Sequence, residues 1–85
     1  MERFQCISHL ENGLDIRAAG EFIKEAIKCT SKITIRNGGK KGDAKLISNV
    51  MSLGIQKGDT LEMELEGENE KEDASSLMTY METHL

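Results

Sequence analysis

The chain has 85 residues, a formal net charge of -4, one tyrosine, two phenylalanines and no tryptophan. This length leads us to expect one domain, residues 1–85, with a small core. The acidic balance and the few aromatic residues argue against nucleic-acid binding, which needs a basic face and stacking surfaces.

No apolar run reaches membrane length and no signal-peptide pattern is present, so we expect a cytoplasmic protein without membrane insertion. The two cysteines, Cys6 and Cys29, lack the spacing of metal ligands, and a disulfide is not expected in the cytosol. The sequence therefore predicts no metal site and no cofactor.

The first half of the chain predicts a strand over residues 2–8 and a helix over residues 16–27. The helix has a core stripe made of Ala19, Phe22, Ile23 and Ala26. A second stripe, rotated by about 90°, is either the edge of the core or an exposed patch. It consists of Ile16, Gly20 and Ile27. Strands over residues 31–36 and 40–43 then flank an Asn-Gly-Gly turn.

The second half predicts a short helix around Ile47 and Val50, which Gly54 ends in the left-handed conformation. Residues 60–66 alternate as a strand. In the last helix Asn69 is predicted as the N-cap and Glu72 as its capping-box partner. The buried stripe of this helix is expected to contain Ala74, Leu77, Met78, Met81 and Leu85.

The predicted order is therefore β-α-β-β-α-β-α. Each strand alternates apolar and polar residues, which indicates an antiparallel sheet with one covered face and one wet face. The predicted fold class is α+β, a two-layer open-faced β-sandwich. Three glutamates on the wet face of the last strand are expected to find cations in Lys32 and Arg36.

The stretch Asn12–Arg17 combines a turn, a short polar residue and a helix start. A helix N-terminus offers unpaired amides to an anion, yet the residue there, Asp15, is itself an anion. Asp15 is either a helix N-cap with Arg17 as a nearby counter-ion, or part of a phosphoryl-transfer site or its remnant. His9 is interpreted as an ordinary loop histidine and His84 as part of a frayed terminus.

The run Asn12-Gly13-Leu14-Asp15-Ile16-Arg17-Ala18-Ala19 resembles the active-centre motif of HPr, the phosphocarrier of the bacterial phosphoenolpyruvate-dependent sugar phosphotransferase system. The family's usual form is Asn-Gly-Leu-His-X-Arg-Pro-Ala. Further segments are similar to the family at residues 22–26, 30–34, 44–45, 50–55, 58 and 66–68, so the resemblance covers the whole chain. It implies a four-stranded antiparallel sheet with three helices on one face.

The departures from the motif fall at functional positions. The resemblance places Asp15 where the family has its phosphorylated histidine, and keeps the phosphoryl-steadying arginine as Arg17. It places Leu46 where Gram-positive members have a regulatory serine, so this position is not phosphorylatable. Ser48 is a poor substitute because it lies about 200° around the helix. A related regulatory paralogue, Crh, also lacks the histidine but keeps the serine.

Three functions follow from these departures. The first is a non-phosphorylatable regulatory or protein-binding paralogue, which is not an enzyme. The second is a phosphocarrier that uses an acyl phosphate on Asp15. The third is a structural paralogue with an unrelated binding role, such as a domain-swapped or dimeric assembly. The expected oligomeric state of the chain is a monomer or a weak dimer.

The resemblance also implies a protein partner, either a phosphotransferase-system enzyme or a transcriptional regulator, that docks on the first two helices. The alternative is that the apolar members of this surface are half-buried packing residues. The matching positions are Ile16, Arg17, Gly20, Lys24, Ile27, Ile47, Ser48, Asn49 and Met51.

Leu46 has no hydroxyl and cannot cap the second helix as the family's serine can. We therefore predict that Asp43 takes over as the cap and that this helix begins early, near Ala44.

Overall fold

The computed structural model describes residues 1–85 and confirms the predicted order of elements. Each predicted strand lies within one residue of the observed one. None of the helices has both the length and the apolar character that crossing a bilayer requires. The elements are β1 (Glu2–Ile7), α1 (Ile16–Lys28), β2 (Lys32–Asn37), β3 (Lys40–Asp43), α2 (Ile47–Ser52), β4 (Thr60–Glu66) and α3 (Glu70–His84).

The four strands form one antiparallel sheet in the order β1-β4-β2-β3. Strand β4 pairs with β1 from Glu2↔Leu65 to Ile7↔Thr60. On its other side it pairs with β2 from Lys32↔Glu66 to Asn37↔Leu61. With the three helices packed on one face, this is the predicted open-faced α+β sandwich.

The core is one cluster of 18 buried residues between the sheet and the helices. Strand β4 contributes its inward residues, and Phe22 is the largest fully buried side chain of α1. Ile23, which was also predicted for the core stripe of α1, is partly buried and packs against the core cluster. Both cysteines are free and buried, and desolvation raises the pKa of each thiol. They act as small core residues.

The open face of the sheet carries a three-residue charge cluster. The Glu64 carboxylate accepts from Arg36 Nε at 2.8 Å and lies 3.3 Å from Arg3 Nε. The hydrogen bond from Arg36 is the main reason that the pKa of Glu64 is lowered. Of the two cations predicted for this face, Arg36 therefore forms an ion pair. Lys32 lies opposite Glu66 in the register and forms none.

The start of α2 contradicts the predicted early cap. Leu46 occupies the N-cap position without a side-chain hydrogen bond, and the helix begins only at Ile47. The Asp43 carboxylate accepts from the Lys45 N–H at 2.9 Å, which closes a turn before the helix instead of capping it. The chain stays in the sheet because the Ala44 N–H donates to a carbonyl of β2.

The N-terminus of α3 is at the predicted place but is built differently. Asn69 holds the N-cap position as predicted, but its side chain makes no capping hydrogen bond. The predicted capping box between Asn69 and Glu72 is therefore wrong. Its amide instead donates to Thr30 Oγ1 at 3.1 Å, which ties the helix start to the segment before β2. Tertiary contact has replaced local capping at this end.

The C-terminal end of α3 is ordered, so the expectation that His84 frays is wrong. The rings of His84 and Tyr80 stack with centroids 4.4 Å apart. Leu85 is buried, and its carbonyl accepts from the His9 N–H. Of the predicted buried stripe, only Met78 lies at the surface, with 36% of its area exposed.

A second contact locks α3 to the sheet. One oxygen of Asp73 accepts from the Ser31 N–H at 3.0 Å and from the Ser31 hydroxyl at 2.6 Å. Ser31 is fully buried, so without this carboxylate its two donors would lose their partner. The bond from the hydroxyl is the main reason that the pKa of Asp73 is lowered.

Asp73→Ala should lower the free energy of unfolding at neutral pH by about 2 kcal/mol, because it leaves two buried donors unsatisfied. The folded pKa of Asp73 is depressed, so its contribution is present above the ordinary value of 3.8 and is lost as the pH falls below it. Urea unfolding against pH should therefore show the two proteins converging in acid. Exposed Glu72→Ala is the control. A gap that persists at low pH would contradict the assignment.

Candidate functional site

The loop between β1 and α1 is fixed by backbone hydrogen bonds to the segment before β4. The Ser8 carbonyl accepts from Gly58, and the Leu14 N–H donates to the Ile55 carbonyl at 3.0 Å. Gly13 makes this approach possible. Its φ is +74°, and a Cβ there would lie 2.8 Å from the Ile55 carbonyl oxygen. The loop thereby delivers the chain to the start of α1 in a fixed direction.

Asp15 is the N-cap of α1. Its backbone is extended, with φ -85° and ψ 177°, and its Oδ1 accepts from the Ala18 N–H at 2.8 Å. The N-cap interpretation is therefore confirmed, and the carboxylate lies against the amides that make a helix N-terminus attractive to anions. Arg17 was predicted as a counter-ion in that interpretation, but its side chain forms no ion pair in the structure.

A cleft of about 310 Å³ opens beside this helix start. One wall comes from the first turns of α1 and the other from the end of α3. The sequence predicted the first wall but not the second, because no local pattern reveals which end of α3 meets α1. The spacing of four residues between Tyr80 and His84 indicates only that these two side chains share one face of α3. The lining residues are Asp15, Arg17, Ala18, Glu21, Tyr80, His84 and Leu85.

Helices α1 and α2 pack side by side and expose a group of apolar side chains that we call the apolar patch. The second stripe of α1 therefore lies outside the core, because Ile16 and Ile27 are exposed and Gly20 is only partly buried. The exposed fractions are 70% for Ile16, 60% for Ile27, 51% for Leu46, 41% for Ile47 and 38% for Met51.

The polar positions predicted for docking differ in how free they are. Lys24 is exposed and lies 4.0 Å from Glu21. Ser48 is exposed, and Gly20 opens onto empty space where a side chain would be. Asn49 has a structural task, because its Oδ1 accepts from the Asp43 N–H at 3.0 Å and holds the end of β3.

Comparison with known proteins was made by sequence and by structure. The family profile PTS-HPr, described as the PTS HPr component phosphorylation site, matches residues 4–83. HPr-like protein Crh of Halalkalibacterium halodurans is 41% identical over 73 residues, covering 86% of this chain and 87% of the relative. Phosphocarrier protein HPr of Buchnera aphidicola subsp. Acyrthosiphon pisum is 40% identical over 74 residues, covering 84% and 87%.

Solved structures of HPr and Crh proteins also resemble this chain. A crystal structure of HPr from Thermoanaerobacter tengcongensis gives a TM-score of 0.91 at 31% identity, covering 99% of this chain and 94% of that chain. A crystal structure of Bacillus subtilis Crh, described as a dimer with a swapping domain, gives 0.77 at 32% identity and covers 100% and 98%.

Asp15→Ala should lower the free energy of unfolding by about 1 kcal/mol, because the Ala18 amide loses its capping acceptor. Asp15→Asn should keep most of the stability, because its amide oxygen can accept the same bond. Urea unfolding of the three proteins measures both effects. Equal midpoints for wild type and Asp15→Ala would mean that the cap contributes nothing.

Proposed function

We propose that this chain, which belongs to the HPr family of the phosphotransferase system, is a cytoplasmic single-domain protein-binding member. In this proposal it carries no phosphoryl group on Asp15 or at Leu46. The observation that carries the proposal is the 2.8 Å bond from the Ala18 N–H to Asp15. The carboxylate occupies the Ala18 amide, which is one of the helix N–H groups that a phosphoryl group on this residue would need.

An acyl phosphate on Asp15 is the competing function. To form it, the carboxylate would have to leave its capping position and attack an incoming dianion of like charge. The product would then hold its phosphate near the same amides, with Arg17 as the nearest cation on α1. The capped carboxylate provides one charge and two oxygens in place of a phosphate's nearly two charges and three oxygens, so it mimics the phosphorylated state only in part.

The second position of the family's regulation offers no acceptor either. Leu46 has an apolar side chain that is half exposed at the N-cap of α2. Ser48 carries the nearest hydroxyl on this helix. It lies about 200° further around the axis, which would present it to a kinase in a different direction.

The apolar patch is the surface that we assign to partner binding. Contiguous exposed apolar area that is rimmed by polar residues is a feature of protein interaction sites. Arg17 and Lys24 are exposed cations near it, and they favour a partner with acidic groups at the rim. The match to the PTS HPr component supports a phosphotransferase-system enzyme as that partner. A transcriptional regulator is the second candidate of this proposal.

A role as a dimeric structural paralogue is the remaining alternative. One relative, B. subtilis Crh, is described as a dimer with a swapping domain, and an HPr of T. tengcongensis is also described as a dimer. We propose a monomer or weak dimer. Size-exclusion chromatography over a range of concentrations tests this, and a stable dimer at all of them would favour the alternative.

Incubation with phosphoenolpyruvate and the first enzyme of the phosphotransferase system should leave Asp15 unmodified. An acyl phosphate would be labile to hydroxylamine and to alkali, and peptide mass spectrometry would locate it. Asp15→His is the matched variant, because it restores an imidazole beside Arg17 and should gain a phosphoryl group at position 15. An alkali-labile adduct on wild-type Asp15 would overturn the proposal in favour of the acyl phosphate.

Ile16→Glu and Ile27→Glu should each weaken binding of that same enzyme by about tenfold or more, because they put charge into a desolvated contact. Isothermal titration calorimetry measures the affinity. Ile7→Glu is the control, since Ile7 is 50% exposed and lies on the opposite, open face of the sheet. Equal losses for all three variants, or none, would contradict docking at the apolar patch.

A further inference from the structure

We propose that Gly20 forms a notch on α1, between the side chains of Ile16 and Lys24, and that this notch receives one bulky apolar side chain of the partner. A leucine, a methionine or a phenylalanine has the required size. This inference rests on the proposed function, because the notch lies within the surface that we assign to partner binding. It adds the shape and the chemistry that the partner must present there.

The fold of the chain does not require a glycine at position 20. Gly20 lies inside α1, where glycine lowers the stability of a helix relative to alanine. Its φ is not positive, so a residue with a side chain could adopt the same backbone conformation. A Cβ at this position would have no atom within 4 Å beyond the helix's own local backbone. The destabilising effect of Gly20 is therefore not offset by any contact within the chain.

Two other glycines show what an internal requirement looks like. A Cβ at Gly13 would lie 2.8 Å from the Ile55 carbonyl oxygen, and one at Gly42 would lie 2.9 Å from the Asn49 Cβ. In both places another segment of the same chain occupies the space of the missing side chain. At Gly20 that space is open. A close approach to this glycine can therefore only come from another molecule.

The side chains one helical turn away from Gly20 form the walls of the notch. Ile16 lies four residues before it and Lys24 four residues after it, so both share its face of α1. Ile16 is 70% exposed, and the Lys24 side chain is 74% exposed. No side chain projects between them. A gap of this kind on a helix surface is a hole into which a packed neighbour can insert an apolar knob.

The chemistry of the walls favours an apolar knob with acidic neighbours. Ile16 provides an apolar wall that continues into the apolar patch, so filling the notch removes apolar area from water on both molecules. Arg17 and Lys24 are exposed cations within four residues of Gly20. They favour carboxylates beside the knob. The partner should therefore present an exposed bulky apolar residue with aspartate or glutamate next to it.

Gly20→Leu tests the proposal, because it should change stability and binding in opposite directions. Leucine forms helices better than glycine, so the melting temperature should rise by about 3–6 °C. The leucine side chain would fill the notch, so the affinity for the first enzyme of the phosphotransferase system should fall about tenfold or more. Gly20→Ala should also raise the melting temperature and should weaken binding less. Differential scanning calorimetry measures the stability, and isothermal titration calorimetry measures the affinity.

Ser76→Leu is the matched control, because it places the same side chain on an exposed position of α3 and should leave the affinity unchanged. A flat apolar contact would tolerate an added leucine or gain from it. Unchanged or tighter binding by Gly20→Leu would therefore overturn the notch, and so would an equal loss of affinity in Ser76→Leu. A lower melting temperature of Gly20→Leu would also overturn it, because the chain itself would then need the glycine.

The same titrations separate this inference from the proposed function. Binding that is lost in Ile16→Glu but kept in Gly20→Leu counts against the notch alone. Binding that survives both Ile16→Glu and Ile27→Glu counts against docking at the apolar patch, and the notch is then wrong as well. Binding that both Ile16→Glu and Gly20→Leu weaken supports the two proposals together.

Discussion

The register of β4 is the constraint on which the rest of the structure depends. This strand is hydrogen-bonded along both edges, to β1 and to β2, and its inward residues Leu61, Met63 and Leu65 are fully buried. A slip of one residue against either neighbour would turn these side chains out and the glutamates in. Because the strand order is fixed in this way, the helix that follows β1 and the helix that follows β4 meet on the same face, and the cleft exists where they meet.

Asp15 illustrates how an N-cap uses a helix end that could otherwise bind an anion. The turn at Gly13, the helix amides and Arg17 are all in place. The Asp15 carboxylate accepts from the Ala18 N–H, so one of those amides is already bonded within the chain. A cap of this kind stabilises the helix by about 1 kcal/mol and at the same time fills the position of an external anion. At this position, a carboxylate that stabilises the helix as its N-cap and a free anion-binding site therefore exclude each other.

Local patterns predicted the strands, the helices and the cap at Asp15 because each depends on neighbours in the sequence. The errors share a physical cause, which is that a distant partner decides the outcome. Asp43 does not cap α2 because the next residue is still hydrogen-bonded to β2. Asn69 bonds Thr30, and the end of α3 is ordered by the loop that contains His9. The residues of α3 that line the cleft, including His84, could not be predicted from the sequence for the same reason.

The short strand β3 governs how the sheet meets other molecules. An edge strand offers unpaired N–H and C=O groups that can template further strands, and proteins block this with lysines, short length and irregular residues. Strand β3 has four residues, of which Lys40 and Lys41 are charged and Gly42 has no side chain. A foreign strand would have to desolvate two adjacent ammonium groups to add there. Cross-β growth is therefore disfavoured along this edge, and β1 is the edge at which a further strand would meet less resistance.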